Sequence, residues 1–97
     1  MARDRTKLPD PEVQAWLGKH PGWALEGGMI RRTFQLADFK AAMAFVNRVA
    51  DAAEAADHHP DIDIRYSKVT LALVTHDAGG LTHRDLALAE RADTLSG

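Results

Sequence analysis

Residues 38–74 have the sequence DFKAAMAFVNRVADAAEAADHHPDIDIRYSKVTLALV, and two apolar periodicities within it decide the fold. In the first half, apolar residues recur every three or four positions, which predicts a helix from Phe39 to about Ala56 with Asp38 as its N-cap. The expected apolar stripe consists of Phe39, Ala42, Met43, Val46, Val49, Ala50 and Ala53. After Pro60 the apolar period falls to two, which predicts strands rather than a continued helix.

The second half of this stretch predicts a β-hairpin. Its first strand has apolar residues at every second position, namely Ile62, Ile64 and Tyr66. We therefore expect this strand to have one buried face, with Tyr66 in the core rather than in a functional site. Ser67-Lys68 is the expected two-residue turn, and residues 69–74 form the returning strand.

The returning strand is apolar on both faces, although an antiparallel sheet with one wet face should alternate. Its far face carries Thr70, Ala72 and Val74. Either this face meets another subunit, or it simply presents small strand-forming residues to solvent. The first explanation predicts a homo-oligomer.

The remaining elements flank this unit on both sides. Asp10-Pro11 predicts the N-cap and first residue of a short helix that ends before Pro21. Residues 23–26 and 29–35 are expected to pair around Gly27-Gly28, with Ile30, Arg32 and Phe34 on one face. Thr82 opens a last helix, whose apolar positions are Leu86, Leu88, Ala89, Ala92 and Leu95. The fold class is therefore α+β, in the order α-β-β-α-β-β-α, with a four-stranded antiparallel sheet and three helices on one face.

Composition excludes several classes of function. The 97 residues carry a net charge of −2, which argues against direct nucleic-acid binding because phosphate contacts need clustered Lys and Arg. There is no cysteine, hence no thiolate chemistry. No apolar stretch resembles a signal peptide or a membrane span. We expect one soluble, cytoplasmic domain over residues 1–97, with a frayed start at residues 1–8.

Three of the five histidines, His58, His59 and His76, fall at the open end of the predicted hairpin. With Ser67-Lys68 as the turn, Tyr66 lies opposite Val69, and His59 lies opposite His76. Side chains directly across an antiparallel pair are about 5 Å apart. The predicted register therefore brings these two imidazoles together, while His58 points to the other side of the extended chain.

Three explanations are open for the histidine cluster. A metal site is disfavoured, because adjacent histidines do not easily converge on one ion and no i, i+4 histidine pair is present, so no metal is predicted. General acid–base chemistry suits imidazole, which exchanges protons near neutral pH. A purely structural role, in which the rings cap the long helix and the strand ends, fits the spacing equally well.

Asp85 also has two explanations. Thr82-His83-Arg84-Asp85 matches a capping box, in which the fourth residue accepts a hydrogen bond from the start of the helix. The same carboxylate could instead orient the ring of His76. The two roles are compatible because a carboxylate has two acceptor oxygens.

At these residues the sequence resembles the pterin-4a-carbinolamine dehydratases, also called 4a-hydroxytetrahydrobiopterin dehydratases. The family pattern is an acidic residue, His-His-Pro, an aromatic residue, a further His and an Asp. In this chain the matching residues are Glu54, His58, His59, Pro60, Tyr66, His76 and Asp85. The likeness extends over roughly residues 10–93 and includes Gly22-Trp23 and Arg84-Asp85-Leu86.

The resemblance implies removal of water from a 4a-hydroxytetrahydropterin, which yields the quinonoid dihydropterin and recycles the cofactor of aromatic amino acid hydroxylases. It implies that His58, His59 and His76 exchange protons and that Asp85 holds His76. The implied substrate-binding residues are Trp23, Glu54, Asp57, Pro60, Thr75, Asp77 and Ala78. No metal or organic cofactor is implied. The implied partners are a pterin substrate, further copies of the chain in a homodimer or homotetramer, and an aromatic amino acid hydroxylase.

Two positions depart from the family pattern. Asp61-Ile62-Asp63 stands where an aromatic residue often follows the proline, and Asp77-Ala78 stands where some relatives have cysteine. Neither change removes an acid–base group. Some relatives instead act without catalysis, as dimerisation partners of a homeodomain transcription factor or in assembly of a carbon-fixing enzyme. A protein-binding module is therefore the alternative function, although a pure binding protein has no need to keep three histidines and Asp85 together.

Overall fold

The computed structural model describes residues 6–96, which form three helices and four strands in the predicted order. The elements are α1 (Asp10–Lys19), β1 (Ala24–Glu26), β2 (Met29–Gln35), α2 (Phe39–Ala56), β3 (Asp61–Arg65), β4 (Lys68–Leu73) and α3 (His83–Ser96), with a 3₁₀ turn at His76–Ala78. No helix within residues 6–96 combines the length and apolar character that crossing a membrane requires.

The four strands form one antiparallel sheet in the order β1-β2-β4-β3. One face of this sheet is buried beneath the three helices, and the sheet residues in the core are Ile30, Phe34, Val69, Leu71 and Leu73. Each fully buried side chain of this size contributes about 1.5–3 kcal/mol to folding. The α+β architecture predicted from the two periodicities is confirmed.

Helix α2 begins where the sequence indicates, because Asp38 Oδ1 accepts a hydrogen bond from the backbone N–H of Ala41 at 2.8 Å. The residues it buries are Ala42, Phe45, Val49 and Ala53. The prediction that Phe39 and Ala50 belong to the buried stripe is wrong, since Phe39 is 51% exposed and Ala50 is also exposed. Phe45, which that stripe omitted, is fully buried. The buried residues form a narrow line, spaced three or four positions apart, and residues one position off that line turn by about 100° towards solvent.

The turn between β3 and β4 differs from the prediction by one residue. Ile64 pairs with Val69, so the turn is Tyr66-Ser67 rather than Ser67-Lys68. Tyr66 has a left-handed backbone with φ of 55° and is 70% exposed, so its expected place in the core is wrong. The sequence pattern does not reveal where the strand ends, because Tyr66, the first residue of the turn, continues the period-two apolar alternation of β3.

This correction moves every partner along β4 by two residues. Each side chain keeps its face of the sheet, because a shift of two preserves the alternation. The predicted pairing of His59 with His76 is nevertheless wrong, because the β3–β4 ladder ends at Asp61 opposite Ala72.

Strand β3 lies at the edge of the sheet and is exposed along its whole length. The expectation of a buried face on β3 is wrong, because Ile62 and Ile64 share the core face yet are each 37% exposed beyond the helical layer. On the far face of β4, Ala72 is buried within the chain, and the hydroxyls of Thr70 and Thr33 are 2.8 Å apart. A subunit interface on this face stays a prediction.

The chain before β1 differs slightly from expectation. Pro9, not Asp10, occupies the N-cap of α1, and no side chain caps the helix. Leu8 is buried, and its N–H donates to the carbonyl of Leu81 at 2.8 Å, so fraying is wrong for this residue. The rest of the frayed-start prediction falls largely on residues 1–5, which lie outside the described part of the chain.

We predict that Tyr66→Gly raises the free energy of unfolding by about 0.5–1 kcal/mol. Glycine adopts a left-handed backbone without the steric cost that an L side chain carries there, and this gain exceeds its entropic cost. Urea denaturation measures the change. Arg65→Gly is the control, because that residue lies in β3 and should lower stability. Equal losses in both variants would contradict the turn assignment.

Candidate functional site

The site is organised around the Asp85 carboxylate, which is completely buried in the first turn of α3. Its Oδ1 accepts from His58 Nε2 at 2.6 Å. Its Oδ2 accepts from the Thr75 hydroxyl at 2.8 Å and from the Thr82 N–H at 2.9 Å. Three donors therefore satisfy one buried charge, which would otherwise be strongly destabilising.

These donors come from three different segments of the chain. His58 follows α2, Thr75 follows β4, and Thr82 precedes α3. The hydroxyls of Thr75 and Thr82 are themselves 2.9 Å apart, so the network is closed. Asp85 thus joins the segment that carries His58 and His59 to the segment that carries His76.

The two explanations for Asp85 have different outcomes. The hydrogen bond from Thr82 N–H confirms that Asp85 caps α3. The expectation that Asp85 holds His76 is wrong, because the histidine bonded to Asp85 is His58, and no described hydrogen bond joins Asp85 to the His76 ring. In the segment after β4, the residue that bonds to Asp85 is Thr75, which directly precedes His76.

The geometry specifies which nitrogen of His58 remains available. A carboxylate only accepts hydrogen bonds, so Nε2 carries the hydrogen shared with Asp85. Only Nδ1 is then left to exchange a proton with a ligand. The residue is only 8% exposed, so little of the His58 side chain is open to the outside.

His59 lies on the other side of the extended segment and is exposed. Its Nε2 is 2.5 Å from Glu54 Oε2, which lies on the last turn of α2. This pair resembles His58 and Asp85 in chemistry but is open to solvent. Glu54, predicted to bind substrate, therefore contacts His59 directly.

His76 is the first residue of the 3₁₀ turn and is exposed. A two-way backbone pairing of Thr75 with Gly80 closes this loop at its base. Within residues 6–96, no hydrogen bond or ion pair involves the His76 ring. Asp77 and Ala78 belong to the same turn, and Asp57 and Pro60 flank the two adjacent histidines.

Trp23 is the one predicted site residue that lies elsewhere. It is 4% exposed, and its indole N–H donates to both carboxylate oxygens of Asp93 at 3.1 and 3.2 Å. Asp93 is two helical turns beyond Asp85, roughly 12 Å along α3. Trp23 also packs edge-on against Phe34. Trp23 is therefore part of the hydrophobic core, and its role in lining a pterin pocket stays a prediction.

A groove near the site contains only one of the three histidines. This groove of about 830 Å³ separates α2 from α3, and its lining includes His58 but neither His59 nor His76. We therefore place the site at the two loops rather than in this groove. Among the described residues, no three His, Asp or Glu side chains are arranged as a metal ion requires.

Two residues at the site were missed by sequence reasoning. Thr82 was assigned only to a helix start, yet its hydroxyl and N–H both belong to the Asp85 network. Arg84 donates to the carbonyl oxygens of Ala56 and Asp57 at the end of α2. The match to Arg84-Asp85-Leu86 was the available signal, but spacing alone does not reveal a contact across 27 positions.

Comparison with protein families matches residues 6–95 to the family described as Pterin 4 alpha carbinolamine dehydratase. The chain belongs to this family. A relative from Chloroflexus aurantiacus is 57% identical over 91 residues, which cover 94% of this chain and 98% of the relative. One from Koribacter versatilis is 57% identical over 88 residues, covering 91% and 94%. Both relatives carry pterin-4-alpha-carbinolamine dehydratase as a provisional name.

Two solved structures share this fold. The crystal structure of a transcriptional coactivator/pterin dehydratase from Brucella melitensis is 32% identical with a TM-score of 0.90, covering 95% of this chain and all of that one. A pterin dehydratase-like protein identified as a RuBisCO assembly factor is 24% identical with a TM-score of 0.64, covering 77% and 87%. The second likeness concerns the fold alone.

We predict that Asp85→Asn lowers the free energy of unfolding by about 1–3 kcal/mol. In either orientation of the amide, its NH₂ group replaces an oxygen that accepted a hydrogen bond, from His58 or from Thr75 and Thr82, and the charge-assisted bonds are lost. Chemical denaturation measures the loss. Asp77→Asn is the matched control, because this exposed residue of the neighbouring loop should change stability by less than about 0.5 kcal/mol. Wild-type stability in Asp85→Asn would contradict the network.

Proposed function

We propose that this protein is a hydro-lyase that converts a 4a-hydroxytetrahydropterin to the quinonoid dihydropterin and water by histidine acid–base catalysis. The observation that carries the proposal is the Asp85 carboxylate, which joins the two loops bearing His58, His59 and His76. In a member of a dehydratase family, this link between the two histidine-bearing loops supports catalysis by proton exchange.

The proposed reaction requires two proton transfers. The C4a–O bond breaks as a proton is delivered to the leaving hydroxyl, which departs as water. A second proton leaves the neighbouring ring nitrogen as the C=N bond of the quinonoid product forms. The transfers balance, and no oxidant, reductant or cofactor takes part. Positioned acid and base groups typically accelerate such steps about 10²–10⁴-fold.

We assign the acid to His59 and the base to His76. The Glu54 carboxylate can balance the charge of a doubly protonated His59 ring. His76 has no carboxylate among its described contacts, so a neutral ring with a free nitrogen lone pair suits proton abstraction. His58 is the third catalytic group in this proposal and acts through Nδ1, because Asp85 occupies its other nitrogen.

Backbone groups in the same loops would hold the pterin edge. The N–H groups of His59, His76 and Asp77 have no protein partner in the described part of the chain, so they can donate to ring oxygen and nitrogen atoms. Pro60 and Ala78 border these donors. By contrast, the N–H of His58 is already bonded to Ala53.

In this proposal the enzyme works in the cytoplasm as a homodimer or homotetramer and regenerates the cofactor of an aromatic amino acid hydroxylase. The alternative is a protein-binding module. It is supported by the likeness to the Brucella melitensis protein, which is described as a transcriptional coactivator/pterin dehydratase. Catalysis is preferred because a protein-binding module would leave the His58–Asp85 and His59–Glu54 pairs unused.

We predict that the purified chain accelerates the loss of absorbance of a 4a-hydroxytetrahydropterin generated by a hydroxylase. Positioned imidazoles should exceed the spontaneous dehydration rate by at least about 100-fold. Stopped-flow or coupled absorbance measurements give the rate. If the decay matches the reaction without protein, catalysis is excluded and the binding-module alternative is favoured.

We predict that His59→Gln and His76→Gln each lower kcat by about 100-fold or more, because each removes one proton transfer. Loss of the acid should remove the fall in rate at high pH, and loss of the base should remove the fall at low pH. pH–rate profiles measure both effects. His20→Gln, a histidine that stacks on Trp16 at the end of α1 and contacts neither loop, should retain wild-type kcat. If His59→Gln instead removed the fall at low pH and His76→Gln the fall at high pH, His59 would be the base and His76 the acid.

A further inference from the structure

The peptide that precedes the two adjacent histidines has an unusual conformation. Asp57, immediately after α2, has φ of 50° and ψ of 44°, in the left-handed region. Glycine is the usual residue at this position, because an L side chain there carries a steric cost. Such a conformation persists only where the surrounding contacts over-determine it.

Two backbone hydrogen bonds at the end of α2 stabilise part of the Asp57 conformation. The N–H of His58 donates to the Ala53 carbonyl at 3.1 Å, and the N–H of Asp57 donates to the Glu54 carbonyl at 3.2 Å. These two bonds form a Schellman motif. The motif satisfies the carbonyls of residues 53 and 54 but not those of residues 56 and 57.

Arg84 supplies the missing contacts. Its Nη2 donates to the Ala56 carbonyl at 3.1 Å and to the Asp57 carbonyl at 2.6 Å. Both carbonyls lie at the negative end of the α2 dipole, where a cation is favourable. Arg84 also directly precedes Asp85, so the start of α3 holds both the backbone before His58 and the ring of His58.

We propose that Arg84 is a positioning residue, which fixes the left-handed peptide at Asp57 and thereby directs His58 inwards and His59 outwards. Asp85 alone constrains one ring, which could swing about the Asp57 backbone. With Arg84 the peptide and the ring are held at two separate points. This inference rests on the proposed dehydratase function only for its catalytic consequence.

The chain offers a matched control on the opposite helix. Arg48 in α2 donates through Nε and Nη2 to the Leu95 carbonyl at 3.2 and 3.0 Å. It therefore makes the same kind of contact, from an arginine to the last turn of a neighbouring helix, at the end of the α2–α3 pair remote from the histidines. Arg48→Gln reports the general cost of losing such a contact.

The test compares Arg84→Gln, Arg84→Lys and Arg48→Gln by amide hydrogen exchange and by kinetics. Exchange at the His58 and Asp57 amides should rise about tenfold in Arg84→Gln, because charge-assisted hydrogen bonds restrain the loop. Lysine keeps the charge but not the planar fork, so Arg84→Lys should be intermediate. These two amides should be unchanged in Arg48→Gln.

Kinetics supply the second readout. Arg84→Gln should lower kcat by about tenfold or more with a smaller change in KM, because misplaced catalytic groups affect the chemical step first. Arg48→Gln should stay within about twofold of wild-type kcat, and Arg84→Lys should recover part of the loss.

Unchanged exchange in Arg84→Gln overturns the inference whatever the activity. Faster exchange with wild-type kcat overturns the catalytic consequence. An inactive wild type removes the proposed function while the exchange measurement still decides whether Arg84 holds the loop.

Discussion

The structure depends on one buried negative charge, the carboxylate of Asp85. It accepts hydrogen bonds from His58, Thr75 and Thr82, which come from three segments that are distant in sequence. Such a charge is tolerated in the interior only when well-placed hydrogen-bond donors surround it. The demand for three donors therefore draws the end of α2, the end of β4 and the start of α3 to one point.

The need for hydrogen-bond donors to Asp85 also explains why one histidine is buried while two others are exposed at the surface. His58 is used to satisfy the charge, and its neighbour His59 must then face outwards because adjacent residues in an extended segment alternate. Thr75 is anchored inwards, so His76 begins the next turn at the surface. The open arrangement of two exposed rings beside one anchored ring follows from the inner network.

Local patterns in the sequence identified much of this arrangement. The long helix, its Asp38 N-cap, the two hairpins and the Asp85 capping bond all follow from interactions within a few residues. The exact position of the β3–β4 turn could not be predicted in this way, because Tyr66 continues the apolar alternation although the strand ends at Arg65. Trp23 was assigned to the site by family likeness, whereas its indole N–H reaches Asp93 at the far end of α3.

By itself the sequence determined the order of the elements, the fold class and the set of histidines with their acidic neighbours, because periodicity, capping and motif spacing are local properties of the chain. Only the tertiary structure decided which histidine Asp85 holds, that Arg84 reaches the end of α2, and that Trp23 belongs to the core. These pairings join residues between 27 and 70 positions apart. They are selected by the need to satisfy buried polar groups across packed elements, a requirement that no single stretch of sequence expresses.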